Sequence, residues 1–210
     1  MTVFVGREGL RLQQEIELHD PATATHMLRV AQYAGLIAAG LGLEDEAVEQ
    51  AVAACTLHDV GKLLVSRTIL RKRGELSAGE TALARMHARH GHALLMRSGF
   101  PLARVAAEVA LRHHEKFDGS GYPDGLRGAA IPLLARIAAV ADVFDALTSR
   151  RPQRCALGFD FALEYVRRQG GLHFDPDCVD AFIARERQIL EVRACFPDRG
   201  ERPRAEITAA

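Results

Sequence analysis

The segment His113–Pro123 has the sequence HHEKFDGSGYP and places two adjacent imidazoles beside a turn of glycines and a proline. Soluble proteins rarely collect so many ligand-type side chains in one short segment without a chemical role for them. We therefore expect this segment to organise a functional site, with histidines and aspartates from elsewhere in the chain as its partners.

The composition indicates a helical protein with reduced cysteines. The chain has 210 residues, of which 48% are hydrophobic, and alanine and leucine dominate that fraction, as in many all-α domains. The 27 basic residues balance the 27 acidic residues, so no net positive field favours duplex nucleic acid as a partner. No apolar run is long enough to cross a bilayer, and the four cysteines are scattered. We expect a cytoplasmic protein with no membrane segment and no thiolate metal site.

The helical periodicity of the apolar residues predicts a bundle of about seven to nine helices. The predicted helices cover residues 6–18, 20–41, 44–59, 77–97, 100–114, 132–148, 158–169 and 176–192. Ser77 and Glu80 have the spacing of a capping box at the start of one helix. A basic connection at 63–77 is expected to be a solvated loop.

Imidazole and carboxylate side chains continue the apolar stripes of these helices. His26 lies four residues before Val30, and Asp59 lies four residues after Cys55. An aspartate on a buried stripe is costly unless it is paired or binds a metal. A lone histidine is best explained as a hydrogen-bonded core residue, but His26 has many candidate partners. These are His58, one of His87 and His90, the pair His113 and His114, and the carboxylates of Asp142 and Asp145.

Such a set of side chains suits iron, manganese, zinc or nickel better than magnesium or calcium. Its size exceeds the needs of one ion and fits two ions roughly 3.5–4 Å apart. Asp59 is the natural bridge, and a water between two cations becomes a hydroxide nucleophile near neutral pH. Lys62 would neutralise charge on phosphoryl oxygens, while Arg151 and Arg154 would hold the rest of an anionic substrate. By themselves, these two arginines would be interpreted as a solvated helix end. The pattern predicts a metal-dependent phosphohydrolase with a nucleotide substrate.

The chain resembles the HD-GYP phosphodiesterases, a branch of the HD-domain metal phosphohydrolases. The motifs that carry the resemblance are, in chain order, His26, the HDVGK run at 58–62, His87 with Gly91, the HHEKFDGSGYP segment, and the DVFDALT run at 142–148. They cover about residues 20–190. A His-Asp pair alone is common, whereas the ordered set with a complete HHExxDGxGYP motif is highly specific.

The resemblance implies an all-α HD-domain-type helical bundle that hydrolyses cyclic di-GMP to pGpG, or onward to GMP. It favours His87 over His90, because the family histidine stands four residues before a glycine, here Gly91. The implied metal ligands are His26, His58, Asp59, His87, His113, His114 and Asp142. Asp59 and Lys62 are the implied catalytic residues, and the implied substrate contacts are Lys62, Asp145, Arg151 and Arg154. Iron is the expected metal, with manganese as the alternative.

The motif loop of the resemblance contains Asp118, Gly119, Gly121, Tyr122 and Pro123. In some family members this Gly-Tyr-Pro loop is implicated in contacting GGDEF-type diguanylate cyclase domains, so such a domain is an expected partner. A homodimer is a further expectation.

Three positions depart from the family pattern. Ala22 stands where members with three metals carry a glutamate, so we predict two divalent ions in this chain and pGpG as the end product. Gln153 replaces a tyrosine and Arg73 replaces a proline. Neither change removes a ligand, and both bear on substrate affinity.

The expected domain organisation is a lead-in helix or linker remnant at 1–19, an HD-GYP domain at 20–192 and a polar tail at 193–210. Three other functions fit the same motifs. The chain would be a catalytically weak sensor of cyclic dinucleotides, an HD hydrolase of another cyclic dinucleotide, or an interaction module that works through the motif loop.

Overall fold

The computed structural model describes residues 6–149 and 156–198 of the chain. Those residues form eleven α-helices and no strand beyond one isolated bridge. The helices are α1 Gly6–His19, α2 Pro21–Gly40, α3 Asp45–Cys55, α4 Arg67–Leu70, α5 Ala78–Arg85, α6 His87–Ser98, α7 Ala103–Arg112, α8 Leu133–Thr148, α9 Phe159–Arg168, α10 Pro176–Ile183 and α11 Glu186–Cys195. The predicted all-α class is confirmed. Among the described helices, none is both long and apolar enough to cross a bilayer.

The described helices outnumber the predicted seven to nine because predicted segments are divided. The single helix expected at 77–97 is two helices that meet at Met86, and the connection at 63–77 contains the short helix α4. The helix expected at 176–192 is divided between Ile183 and Glu186, where Arg185 N–H donates to Phe182 O, three residues back, at 3.0 Å. The capping box of Ser77 and Glu80 is confirmed at the start of α5.

Helices α2 and α8 form the centre of the bundle. Helix α2 packs against α3, α8, α10 and α11, and α8 packs against α7 and α9 as well. Tyr33 of α2 and Phe144 of α8 meet edge to face with ring centroids 5.6 Å apart, and Phe182 of α10 lies 4.9 Å from Phe144. All three rings are buried, and truncating such a side chain costs about 3–5 kcal/mol. This core fixes α2 and α8 relative to each other.

Helix α3 ends earlier than predicted. The periodicity predicted helix to Asp59, but α3 stops at Cys55, and His58 and Asp59 lie in a turn before a 3-10 helix at Val60–Leu64. The reason is local, because Nδ1 of His58 lies 2.7 Å from Cys55 O. The ring takes the carbonyl that a continuing helix would offer to the backbone of Asp59. Both side chains therefore project from one tight turn.

Gly61 allows this turn to pack directly on α6. A Cβ atom at residue 61 would lie 2.0 Å from His87 O and 2.4 Å from Gly91 N. No side chain fits there, so the two glycines let the turn and the start of α6 touch through their backbones. The close approach brings Asp59 beside His87.

The C-terminal end of the described chain packs on the domain. Helix α11 continues past the expected boundary at residue 192 and ends at Cys195. Beyond it, Phe196 O accepts from Nη1 of Arg29 at 2.9 Å, and Oδ1 of Asp198 lies 3.1 Å from Nη2 of the same arginine. Phe196 and Asp198 therefore contact α2, and α11 extends across the boundary expected at residue 192.

Candidate metal centre

Five parts of the fold bring the seven predicted metal ligands to one place. They are His26 on α2, His58 and Asp59 in the turn after α3, His87 at the start of α6, His113 and His114 after α7, and Asp142 on α8. Six of the seven are buried, and the side chain of His114 is 25% exposed. The cluster is thus an interior site with one side open at His114.

Within the described ranges, the ligand atoms form two groups of three. His26, His58 and Asp59 form the first trio, and His87, His113 and His114 form the second. In each trio the candidate ligand atoms lie within 4.8 Å of one another. Such spacing suits one ion per trio.

Asp59 lies between the trios with one oxygen toward each. Its Oδ1 atom is 3.3 Å from Nε2 of His87 and 3.9 Å from Nε2 of His113. Its Oδ2 atom is 3.7 Å from Nε2 of His26 and 3.6 Å from Nε2 of His58. A single carboxylate thus faces both positions at which an ion would sit.

Asp142, on helix α8, also contacts members of both trios. Its Oδ1 atom lies 3.0 Å from Nε2 of His26 and 3.9 Å from Nε2 of His58. Its Oδ2 atom lies 3.9 Å from Nδ1 of His114. The site therefore holds two carboxylates, each with oxygens close to members of both trios.

The chain itself orients most of the imidazole rings. In His58, His87 and His113, Nδ1 lies 2.7, 2.7 and 3.0 Å from the backbone carbonyl three residues earlier. A carbonyl only accepts, so Nδ1 carries the proton and Nε2 of the neutral ring has a free lone pair. All three Nε2 atoms face the cluster, which is the arrangement that metal ligation requires.

Unpartnered buried atoms test whether these residues fit a metal. Nε2 of His58 and Oδ1 of Asp59 are buried without a hydrogen-bond partner, and Nε2 of His26 has the Asp142 carboxylate 3.0 Å away. Buried polar atoms are nearly always satisfied, so two unpartnered atoms among the candidate ligands indicate a missing partner. A mixed imidazole and carboxylate set without thiolates matches the preferences of divalent transition metals. The residues present therefore fit such ions.

Electrostatics favour the metal-binding protonation states of three rings and of Asp59. At His26 burial lowers the pKa, but the hydrogen bonds to Asp142 and Asp145 outweigh it and raise that pKa. Burial lowers the pKa of His58, and it lowers the pKa of His87 and His113 to about 4. Burial alone would raise the pKa of Asp59, but Lys62 and the nearby imidazoles outweigh it and hold that pKa well below its usual range. Neutral imidazoles beside an ionised carboxylate are the forms that bind metal without first losing a proton.

Lys62 contacts the carboxylate of Asp59 at the edge of the site. Its ammonium group pairs with Oδ2 of Asp59, and its side chain is 18% exposed. The cation is therefore next to both trios and also reachable from outside. Helical spacing alone left His87 and His90 as alternative ligands, and His90 belongs to neither trio.

Asp145 has a different environment from the one predicted for it. The sequence-based assignment placed this residue on the substrate, but its side chain is fully buried. Oδ2 accepts from Nδ1 of His26 at 2.7 Å, and Arg29 donates to both carboxylate oxygens, at 2.5 and 2.9 Å. With a further bond from Ser149, these groups surround the carboxylate, and a contact of Asp145 with substrate stays a prediction. Arg151 and Arg154, the other predicted substrate contacts on this side, lie outside the described residues.

Sequence reasoning missed Arg29 and Glu115. Arg29 is 1% exposed and follows His26 by three residues, so an arginine inside the apolar stripe of α2 was the available signal. Glu115 is also buried, and its carboxylate accepts from the backbone N–H groups of Asp124 and Leu126 at 2.8 and 3.1 Å. It holds the motif loop in place. No sequence pattern distinguishes that role from ligation.

The motif loop closes against the second trio. A Cβ at Gly121 would lie 2.2 Å from Lys116 N, so the loop folds back tightly on the segment that follows α7. Tyr122 precedes a cis peptide bond to Pro123 and stacks on His114 with centroids 4.7 Å apart. The guanidinium carbon of Arg85 lies 4.8 Å above the same tyrosine ring. The loop thus forms one wall of the site.

Relatives with known activity match over most of this chain. The chain is 46% identical to the cyclic di-GMP phosphodiesterase response regulator RpfG of Xanthomonas campestris over 94% of its length and 52% of the relative. It is 38% identical to a cyclic di-GMP phosphodiesterase of Thermotoga maritima, covering 84% of this chain and 48% of the relative. It is also 38% identical to the 3′3′-cGAMP-specific phosphodiesterase 2 of Vibrio cholerae, covering 89% and 36%. The chain spans about half the length of the first of these relatives, and less of the other two.

Solved structures share the fold at low sequence identity. An HDG“Y”P protein from Bdellovibrio bacteriovorus matches with a TM-score of 0.63 at 17% identity, covering 88% of this chain and 61% of that one. The HD domain of the phosphodiesterase PgpH from L. monocytogenes, solved with cyclic di-AMP, matches with a TM-score of 0.60 at 16% identity, covering 91% and 100%. The family model described as HD domain matches residues 11–178, most of the chain. The chain therefore belongs to the HD domain family, as its ordered histidine and aspartate motifs predicted.

Proposed function

We propose that this chain is a metal-dependent phosphodiesterase that hydrolyses cyclic di-GMP to linear pGpG. The observation that carries the proposal is the carboxylate of Asp59, which directs one oxygen toward each of two imidazole trios. Hydrolysis adds water across one P–O3′ bond and leaves a 5′-phosphate and a 3′-hydroxyl group. Two-metal sites serve such in-line displacements in many phosphoesterases.

We propose two divalent ions as cofactors, iron by preference and manganese as the alternative. His26, His58 and Asp59 would hold one ion and His87, His113 and His114 the other, with Asp59 shared and Asp142 completing the set. When bound, such ions polarise a phosphodiester and lower the pKa of water. Ala22 offers no carboxylate for a third ion, which supports two.

The remaining chemistry belongs to side chains of the chain itself. Lys62 pairs with Asp59, so its ammonium group lies beside the proposed metal centre. We propose that it contacts a phosphoryl oxygen and stabilises the charge that develops there. Tyr122 holds the ring of His114 by stacking and keeps that side of the site narrow. Arg151 and Arg154 stay proposed substrate contacts, outside the described residues.

The choice of cyclic di-GMP rests on the relatives. RpfG, at 46% identity, bears that activity in its name, as does the Thermotoga maritima relative. A relative at 38% identity is specific for 3′3′-cGAMP, which makes hydrolysis of that nucleotide the second candidate function. The two substrates differ in one base, so the contacts to that base decide between them.

Partners and location are further proposals. We propose that the motif loop, with Asp118 exposed at its tip, contacts a GGDEF-type diguanylate cyclase domain, and that the chain forms a homodimer. The described cysteines, Cys55, Cys178 and Cys195, are free thiols. Free thiols are typical of reducing compartments and support a cytoplasmic location.

The test is anaerobic incubation of the reduced, iron-loaded protein with cyclic di-GMP. Products are resolved by anion-exchange chromatography, and metal per chain is measured on the same sample. We expect pGpG and about two metals per chain. The Asp59→Asn variant should lose turnover and metal together, while His90→Gln, which alters a histidine outside both trios, should keep both.

Parallel incubation with 3′3′-cGAMP separates the candidate substrates. If 3′3′-cGAMP is cleaved faster than cyclic di-GMP, then 3′3′-cGAMP is the substrate, and the proposed reaction type still holds. If metal-loaded protein retains cyclic di-GMP without cleaving it, the chain is a sensor and the enzyme proposal is wrong. A third outcome would support the interaction module instead. In that case the wild-type chain cleaves no cyclic dinucleotide, and the Asp59→Asn variant still binds a diguanylate cyclase domain.

A further inference from the structure

Arg29 is the most completely engaged buried charge near the metal centre. It is 1% exposed, and its Nε and Nη2 atoms donate to the two oxygens of Asp145. Nη2 also lies 2.7 Å from Oγ of Ser149 and 3.1 Å from Oδ1 of Asp198, while Nη1 donates to Phe196 O. Burying a guanidinium costs desolvation free energy, so we ask which part of the structure this network supports.

The network ends on one metal-facing ring. Oδ2 of Asp145, which Arg29 contacts, also accepts a hydrogen bond from Nδ1 of His26 at 2.7 Å. An ionised carboxylate accepts only, so it fixes the proton on Nδ1 and turns Nε2 toward Asp59 and Asp142. Burial would raise the pKa of Asp145, but the hydrogen bonds from His26 and Arg29 more than reverse that effect and hold the pKa below its usual range. The carboxylate is therefore ionised.

The C-terminal segment completes this network. Arg193 of α11 donates to the carbonyl and hydroxyl groups of Thr148, the last residue of α8. This contact holds α11 against the end of α8 and places Phe196 and Asp198 over the guanidinium of Arg29. Three separate parts of the chain thus converge behind His26.

We infer that Arg29 and Asp145 are positioning residues for His26, and that the segment 196–198 completes the support of this one ligand. The inference rests on the proposed metal centre and extends it. His58, His87 and His113 are held by backbone carbonyls of their own segments, so they do not depend on this network. Loss of Arg29 should therefore weaken the trio of His26, His58 and Asp59 and spare the trio of His87, His113 and His114.

The test is a Mn²⁺ titration of the metal-free full chain, with free Mn²⁺ counted by electron paramagnetic resonance. Wild type should bind two ions per chain. In Arg29→Gln one of the two sites should weaken by roughly 10–100-fold, the usual cost of losing an outer-shell partner, while the other keeps its affinity. A purely structural role would lower the melting temperature and leave both affinities intact.

Arg136→Gln is the matched control. Like Arg29, Arg136 pairs with a buried aspartate, Asp175, and donates to a backbone carbonyl, that of Ile131 at 2.9 Å. Its loss removes an ion pair of the same kind outside the centre. This variant should be destabilised but should still bind two ions with wild-type affinities.

Arg29→Lys decides the matter if Arg29→Gln does not fold. Lysine keeps the charge but cannot donate to both oxygens of Asp145 and to the C-terminal segment together, so one site should again weaken by about tenfold. Two wild-type affinities in a folded Arg29 variant would overturn the inference and leave the proposed function intact. Conversely, a wild type that binds two ions but cleaves no cyclic dinucleotide would overturn the function and leave the inference standing.

Discussion

The aromatic ring of Tyr122 stacks on the imidazole of His114 at a centroid distance of 4.7 Å and an angle of 28° between the planes. This contact joins the Gly-Tyr-Pro loop to the second imidazole trio. The ring of His114 has no backbone carbonyl bond of the kind that orients His58, His87 and His113 among the described contacts. Stacking is thus its main restraint on the loop side.

Replacing Tyr122 by alanine should loosen His114. We expect the Tyr122→Ala variant to bind Mn²⁺ at the trio of His87, His113 and His114 on the order of tenfold more weakly. The reason is that the ring of His114 must then be ordered when the ion binds. Tyr122→Phe retains the stacked ring and should behave like wild type in the same titration. Equal affinities in Ala and Phe variants would show that the stack does not support the ligand.

Gly61 should tolerate no side chain. Gly61→Ala would place a methyl group 2.0 Å from His87 O. Because the clashing atom belongs to the backbone, the clash is relieved only if the turn moves away from α6. We expect a loss of at least about 1–3 kcal/mol in unfolding free energy, measured by urea denaturation. The control is Gly79→Ala, because Gly79 lies in α5 with open space at its Cβ position. That change should be neutral or stabilise by about 0.5–1 kcal/mol.

Removing the ammonium group of Lys62 should separate turnover from metal binding. Lys62→Met keeps the length of the side chain and deletes the cation that pairs with Asp59. We expect kcat to fall on the order of 100-fold or more, as for other groups that stabilise transition-state charge, while two ions per chain remain bound. Metal analysis of the same preparation checks the second half. A variant that loses its metal would mean that Lys62 supports the ligand Asp59 instead.

The metal-free protein should lose stability as the pH falls below neutral. Burial lowers the pKa of His87 and of His113 to about 4, whereas an unfolded imidazole titrates near 6.5. The stability linked to these rings is complete above pH 6.5 and is lost as the pH falls toward 4, by about 3 kcal/mol for each ring. Melting temperatures between pH 7.5 and 4.5 measure the slope.

Variants identify the source of that slope. His113→Gln should show a shallower loss of melting temperature with acidification than wild type, since one buried imidazole no longer has to be protonated on unfolding. His92→Gln, which changes a partly exposed ring outside both trios, should retain the wild-type slope. Identical slopes in all three proteins would assign the acid sensitivity to other groups.

The sequence predicted the helical class because that class depends on local pattern, whereas the ligand set was implied by the ordered motifs of the HD-GYP resemblance and stays a prediction. Apolar periodicity identified the stripe of α2, whose residues Val30, Ala34 and Ile37 are fully buried. The same periodicity failed at Asp59, where a side chain takes the carbonyl that would continue the helix. Periodicity registers which face is buried and carries no information on such a bond.

The partners of Asp145 could not be predicted for a different reason. Asp142 and Asp145 are three residues apart on α8 and share its buried face, so spacing gives them the same environment. Only the fold shows that α2 presents Arg29 to one of them and His26 to both. Long-range pairing of this kind requires knowledge of which helices touch.

Three of the site's imidazoles obey one local rule, since each Nδ1 atom is held by the carbonyl three residues before it. The segments are CTLH at 55–58, ARMH at 84–87 and ALRH at 110–113. Each four-residue unit thus specifies its own ring direction through its backbone, whatever the other three side chains are. The bundle has only to deliver preformed units to a common point, so its sequence is free to diverge while the centre is retained.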